Sequence, residues 1–165
     1  MNWTLNTKMV RMMKTKFVIP LDAVPQGRPR FYNGHAVDPP ASKKFKDDVA
    51  QIVAAQKDSD ELITSPINVL IEIYRSAKTF GKKNGVTNKR YGDIDNLAKG
   101  ILDALTGIIW ADDRQIFELH VYKKLADEPL IIVKMMHLMS DYKRHERHDN
   151  PHYYTADEIK KRKMD

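Results

Sequence analysis

Two aspartates two residues apart, Asp93 and Asp95, stand immediately before an apolar pattern of helical period. Lys99 follows one helical turn after the second of them, and Asp112-Asp113 comes shortly after the pattern ends. Hard divalent cations such as Mg²⁺ take oxygen ligands, and carboxylates supply oxygen and charge together. An ammonium is a compact cation suited to a phosphate or a leaving oxygen. Together these parts suit metal-assisted hydrolysis of a phosphodiester. Each part also has a plainer use. Aspartate is favoured at helix N-caps and in the first turn, where the helix dipole is positive. Asp95 and Lys99, at i and i+4, would make an ordinary helix ion pair worth about 0.2–0.5 kcal/mol. Acidic residues are common in tight turns such as the one at Asp112-Asp113. A calcium loop of the EF-hand type is excluded. Counted from Asp93, Ala98 stands where that loop needs glycine, and Ala104 where it needs glutamate.

Cations gather around these acids. Between residues 75 and 92 lie Arg75, Lys78, Lys82, Lys83, Lys89 and Arg90, with no acidic residue before Asp93 and with Gly81, Gly85 and Gly92 among them. A carboxylate cluster repels DNA unless metal and flanking cations compensate. Arg28 and Arg30, in the Pro/Gly-rich stretch before Phe31 and Tyr32, offer phosphate contacts and stacking. A solvated surface loop is the plain reading of the first group, and core packing that of Phe31. His145, His148 and His152 have spacings that zinc accepts, but they lie in a densely charged tail broken by Asn150-Pro151, with no cysteine beside them. Nucleophile-elbow, P-loop and dinucleotide fingerprints are absent from the sequence.

The elements that would position these residues follow from periodicity. Residues 16–21 read as a strand with Phe17, Ile19 and Leu21 on one face. Ser42 is expected to cap a helix running to about Lys57, with Phe45, Val49, Ile52 and Val53 at helical spacing. After Pro66, Ile67, Val69, Ile71 and Ile73 alternate as in a strand. The second helix carries Leu97, Ile101 and Leu105 toward the core and stops near Gly107. Asp95, Asn96, Lys99 and Asp103 lie on its other side. A strand over residues 115–123, a turn at Asp127-Glu128-Pro129 and a last strand over 130–137 complete a βαβαββ order. This predicts an α+β, two-layer domain, a small mixed sheet covered by two helices. If the strand after Asp113 pairs beside the strand before the basic loop, Asp113 is expected to approach Asp93 and Asp95. The last strand, apolar on both faces, is a candidate dimer interface. The chain divides into an extension (1–15), a domain (16–138) and a charged tail (139–165), where residues 156–163 suit a short helix.

Composition sets the frame. A chain of 165 residues has the length of one domain with a real core. It contains no cysteine, which excludes disulfides and cysteine metal sites and suits a reducing cytoplasm. No apolar run reaches the roughly 20 residues that span a bilayer. The scattered cations near the start precede no apolar stretch, against a signal peptide. The net charge of +6 and pI of about 9.4 favour a polyanionic partner.

Three blocks then match a known pattern in order and spacing. They are Asp93-Ile94-Asp95-Asn96-Leu97-Ala98-Lys99, Leu102-Asp103-Ala104-Leu105, and Trp110-Ala111-Asp112-Asp113-Arg114-Gln115-Ile116. Together they resemble the RusA family of Holliday junction resolvases. The stretch Pro25-Gln26-Gly27-Arg28-Pro29-Arg30 resembles the early loop of its phage and prophage members. The resemblance covers roughly residues 16–136. It implies a RusA-like fold and a homodimeric endodeoxyribonuclease, dependent on Mg²⁺ or Mn²⁺, that nicks two opposed strands of four-way junction DNA in recombination and repair. It maps the essential carboxylates onto Asp93, Asp95 and Asp113 as metal ligands, and the essential lysine onto Lys99. Asn96 matches the motif asparagine and Asp112 the less critical neighbour of the third carboxylate. Arg28, Arg30, Lys82, Lys83, Lys89 and Arg90 are the candidate DNA contacts. Two other readings stand beside it: a junction-binding protein without cleavage, in which the acids only cap a helix, and another structure-selective nuclease. A restriction-type nuclease fits poorly, because Glu118-Leu119-His120 lacks the lysine that its motif requires.

Overall fold

The structure is a computed structural model and describes residues 12–28, 30–76, 82–83, 86–87 and 92–138. Four strands form its sheet: β1 (Met12–Ile19), β4 (Ile67–Ser76), β7 (Ile116–Ala126) and β8 (Leu130–Leu138), in the spatial order β1-β8-β4-β7. β8 runs antiparallel to both β1 and β4, and β7 runs parallel to β4. Two helices, α1 (Pro40–Ala54) and α2 (Ile94–Leu105), pack together on one face. Two short hairpins, β2 (Arg30–Tyr32) with β3 (His35–Val37) and β5 (Lys82–Lys83) with β6 (Val86–Thr87), decorate this frame. The two-layer α+β expectation is borne out. The parallel β4–α2–β7 connection supplies the helix that a parallel crossover needs.

Period-2 alternation puts Phe17 and Ile19, Ile67, Val69, Ile71 and Ile73, and Ile131, Val133 and Met135 on the face beneath the helices, all buried. Phe45, Val49 and Val53 from α1 and Leu97, Ile101 and Leu105 from α2 close the core, with Trp110 fully buried at the end of α2. The Trp110 indole donates to Thr106 Oγ1 at 3.1 Å, and that hydroxyl donates to the Leu102 carbonyl at 3.0 Å, which fixes how α2 ends.

Several sequence expectations are corrected. β1 begins at Met12, so residues 12–15, assigned to an extension, pair with β8 from Leu138 to Met135. α1 begins at Pro40, where a missing amide proton costs nothing. Ser42 is therefore inside the helix, and its buried hydroxyl accepts from the Gly27 amide at 3.1 Å instead of capping. The Pro/Gly-rich stretch leads into a hairpin, β2 with β3, that turns at Asn33-Gly34, both at positive φ (49° and 79°), as a two-residue hairpin turn requires. Arg75 is not a loop cation. It is 4% exposed near the end of β4, and its guanidinium donates to both carboxylate oxygens of Asp22, at 2.9 and 3.2 Å. β8 lies between β1 and β4, so both of its edges are paired, and the dimer role expected of it falls to the face that carries Ile132 and Met136. Lys89, Arg90 and the tail with its three histidines lie outside the described residues, as does the expected helix at 156–163.

The sheet face away from the helices is built around Glu72, which accepts from Lys124 and, at 2.7 Å, from Lys134. The Lys124 contact first, and the Lys134 contact second, hold the carboxyl down at about 2, against an ordinary 4.5. The folded pKa lies below the unfolded one. Ionised Glu72 therefore stabilises the fold at neutral pH, and the contribution is lost as pH falls from about 5 toward 2. Its lysine partners are solvent-screened, which keeps the effect small. Glu72→Gln should lower Tm by about 3 °C at neutral pH, for a chain of this size. The difference should close near pH 2, as read by circular dichroism melts across that range. An equal deficit at both ends of the range would mean that the Glu72 charge contributes nothing.

Candidate active site

Asp93 occupies the N-cap position of α2 with extended backbone (φ −69°, ψ 150°), but its side chain makes no capping hydrogen bond. The helix instead starts on a backbone bond from the Leu97 amide to the Asp93 carbonyl, 3.0 Å. The capping reading therefore leaves the carboxylate unaccounted for. Asp95 and Lys99 are exposed on the outer side of α2, and neither takes part in an ion pair among the described residues. The helix ion pair expected from their spacing does not form. Among the described residues, two carboxylates and one ammonium thus stand uncommitted around the positive end of a helix, an arrangement able to receive a cation and a phosphate together. Asp103, further along the same side, is committed. Lys46 of α1 bridges it (3.1 Å) to Asp38 (2.9 Å), locking α1 to α2.

The backbone before α2 is held with little freedom. Gly92 has φ +67°, and a Cβ there would lie 2.3 Å from Pro25 Cγ. Within α2, a Cβ on Gly100 would meet the Val24 carbonyl at 2.9 Å. The Gln26 amide donates to the Asn96 carbonyl at 3.0 Å, and Gly27 is pinned by Ser42. The Pro25-Gln26-Gly27 segment therefore lies directly against the first turns of α2. The exposed Arg28 follows this docked segment. Arg30 continues into β2, and Lys82 and Lys83 form β5. The sequence reading placed Gly92 in the basic loop and Pro25 in the early loop, but not against each other. A glycine immediately before a capping acid and a proline in a loop carried the signal, but their contact is tertiary.

Asp113 does not join this group within one chain. The sequence reading had the turn at Asp113 return toward the start of α2. The strand pairing it required does occur, with β7 beside β4. The parallel direction, however, sets Asp113 at the opposite end of the sheet. Ile116, just after it, pairs with Ile67 at the start of β4, whereas Lys123 pairs with Ile73 and donates to the Gly92 carbonyl at 3.4 Å. Seven strand residues at about 3.3 Å each separate those levels, so Asp113 stands on the order of 20 Å from Asp93. Consistently, no group of three metal-ligating side chains occurs among the described residues. Asp113 is exposed on its turn.

The turn itself is closely hydrogen-bonded. Asp112 accepts from the Arg114 amide at 2.9 Å and pairs with its guanidinium at 2.6 Å; these contacts, led by the guanidinium, hold its carboxyl well below the usual range. Gln115 returns Oε1 to the Asp112 amide (2.8 Å) and donates to the carbonyls of Ile63 and Ser65 (2.9 and 3.0 Å). Asp112 thus shapes the turn and Gln115 anchors it, while Asp113 projects from it.

The sheet and its two helices thus carry Asp93, Asp95 and Lys99 together at the start of one helix, with the exposed Arg28 following the segment docked against it. The family model described as Endodeoxyribonuclease RusA matches residues 20–136, and the chain belongs to that family. Membership carries with it, as a general property, endonuclease action on Holliday junction DNA. The chain is also similar to the Bacillus subtilis (strain 168) protein named "Uncharacterized protein YqaN", 37% identical over 132 residues, which cover 72% of this chain and 92% of that protein. Among the described residues, no helix is long and apolar enough to cross a membrane.

Proposed function

We propose that this chain is a divalent-metal-dependent endonuclease that resolves four-way DNA junctions by paired nicks, working as a homodimer. The observation that carries this reading is the uncommitted Asp93, Asp95 and Lys99 cluster at the start of α2, in a chain of this family. Asp93 and Asp95 suit Mg²⁺, or Mn²⁺, which takes one or two carboxylates and otherwise keeps its waters. When bound, such an ion supplies charge neutralisation and an activated water for phosphodiester hydrolysis. Lys99, one turn further on, sits against the scissile phosphate and stabilises negative charge that grows in the transition state. Arg28, Arg30, Lys82, Lys83, Lys89 and Arg90 hold the backbone phosphates and orient the junction.

Asp113 enters as the third carboxylate from the other protomer, since its own chain keeps it at the far end of the sheet. A two-fold dimer then has two such sites, one for each opposed strand. This has a direct consequence for mixed proteins. Asp95→Asn and Asp113→Asn, each inactive alone, should regain cleavage when mixed, because each heterodimer rebuilds one intact site. Random exchange gives roughly a quarter of the wild-type number of sites. A mixture as inactive as its components would place all three acids of a working site in one chain, or remove Asp113 from it.

The basic loop supports the same reading through salt dependence. Replacing Lys82 and Lys83 together by alanine should make the slope of log affinity against log salt shallower by about one to two units, from about 0.9 per phosphate contact. An unchanged slope would leave β5 outside the DNA interface.

A further inference from the structure

Among the described residues, Arg75 and Lys123 are the two lysine or arginine side chains on the helix-bearing face of the sheet, since Lys123 pairs with Ile73 and Leu125 with Arg75. Arg75 has its counter-charge in Asp22. Lys123 is half-buried, yet it takes part in no ion pair among the described residues. An ammonium drawn partly out of water needs acceptors for its protons. The acceptor that Lys123 reaches is a backbone one, the Gly92 carbonyl at 3.4 Å, 31 residues earlier in the chain.

That carbonyl belongs to the peptide unit that joins Gly92 to Asp93. The positive φ of Gly92 and its packing against Pro25 leave this unit few other orientations. The peptide unit after Asp93 is held as well, because the Asp93 carbonyl accepts from the Leu97 amide at 3.0 Å. Peptide units are planar, so tethering the two that flank a residue sets its φ and ψ. The Asp93 side chain makes no capping hydrogen bond that would aim it independently. Those two backbone angles therefore decide where its carboxylate is presented.

We propose that Lys123 is a positioning residue for Asp93. From the sheet it holds the Gly92–Asp93 peptide so that the Asp93 carboxylate is presented to the divalent cation together with Asp95, without touching the cation itself. The inference rests on the metal-dependent reading of Asp93 and Asp95. Two other roles for the same ammonium predict different results. Acting through its charge alone, it would repel the cation, and its removal would tighten metal binding. As a phosphate contact, it would set junction affinity and its salt slope and leave metal binding by the free protein alone. A tether predicts weaker metal binding at unchanged junction affinity.

The test uses full-length protein without DNA, titrated with Mn²⁺ and followed by the paramagnetic resonance of the free ion. Lys123→Met keeps an unbranched stem and removes the donors. It should weaken Mn²⁺ binding by about 10-fold, the scale on which groups that orient metal ligands act, with Tm nearly unchanged. Lys123→Ala should do the same. Lys124→Met, one residue on but on the open face against Glu72, should leave Mn²⁺ affinity as it is. In cleavage, Lys123→Met should raise the Mg²⁺ concentration needed for half the maximal rate by a similar factor, while the rate at saturating Mg²⁺ stays close to wild type. Junction affinity measured in chelator should not move. Equal or tighter Mn²⁺ binding by Lys123→Met, or an equal loss in Lys124→Met, overturns the inference. So does a junction salt slope that becomes shallower by about one unit with metal binding intact. Wild-type protein that binds no Mn²⁺, or binds it equally well as Asp95→Asn, overturns the metal-dependent reading itself. Binding that needs Asp95 but ignores Lys123 leaves that reading standing and removes Lys123 from it.

Discussion

Asp95→Asn should abolish junction cleavage while leaving junction binding almost intact. The substitution keeps the size of the side chain and the start of α2, where Asp95 makes no ion pair among the described residues, so the fold loses little. It removes one charged oxygen donor from the pair suited to the metal. Losing several kcal/mol of charge stabilisation at the scissile phosphate lowers the rate by about 10³-fold or more. Binding depends on lysines and arginines meeting phosphates and is expected to hold or to strengthen as repulsion falls. Parallel gel-shift and nicking assays on one synthetic junction read both quantities. Full Mg²⁺-dependent nicking by Asp95→Asn would remove this residue from the site.

Lys99→Ala should lower the cleavage rate by about 10²-fold at unchanged junction affinity, the pattern of a group that acts on the transition state rather than on the bound substrate. Lys99 has no ion-pair partner among the described residues, so its removal should leave Tm nearly unchanged. Single-turnover cleavage and a thermal melt on the same preparation separate the two roles. Normal cleavage with a lowered Tm would return Lys99 to the helix ion pair that its spacing first suggested.

Much of this architecture was legible because it is local. Leu97, Ile101 and Leu105 repeat at helical spacing, and the helix they define is found at residues 94–105. Ile67, Val69, Ile71 and Ile73 alternate, and all four are buried in one strand. The three motif blocks were equally legible, and they gave the family before any fold was seen. What escaped was long-range. Ser42 has the chemistry of a cap, but Pro40 opens the helix earlier and Gly27 claims the hydroxyl. Arg75 looked like one more cation of a basic loop until β4 ran on through it and Asp22 paired with it. Sheet order is long-range in the same way: β8, the last strand of the domain, lies inside the sheet, and β7 stands at its edge. The carboxylates show the same limit most clearly. Spacing along the chain brought Asp113 near Asp93, but the direction of β7 decides which end of the strand reaches the start of α2, and direction is not written in spacing.

The central claim is that this chain cuts four-way DNA with a divalent metal held by Asp93 and Asp95. The most direct test incubates the purified full-length protein with end-labelled four-way, three-way and linear duplex DNA, with Mg²⁺ and with chelator. The account predicts paired nicks at opposed positions in the four-way junction, dependent on the metal, and little cutting of the linear duplex. A protein that binds the junction tightly yet cuts no strand with Mg²⁺ or Mn²⁺, or that cuts all three substrates alike, would contradict it.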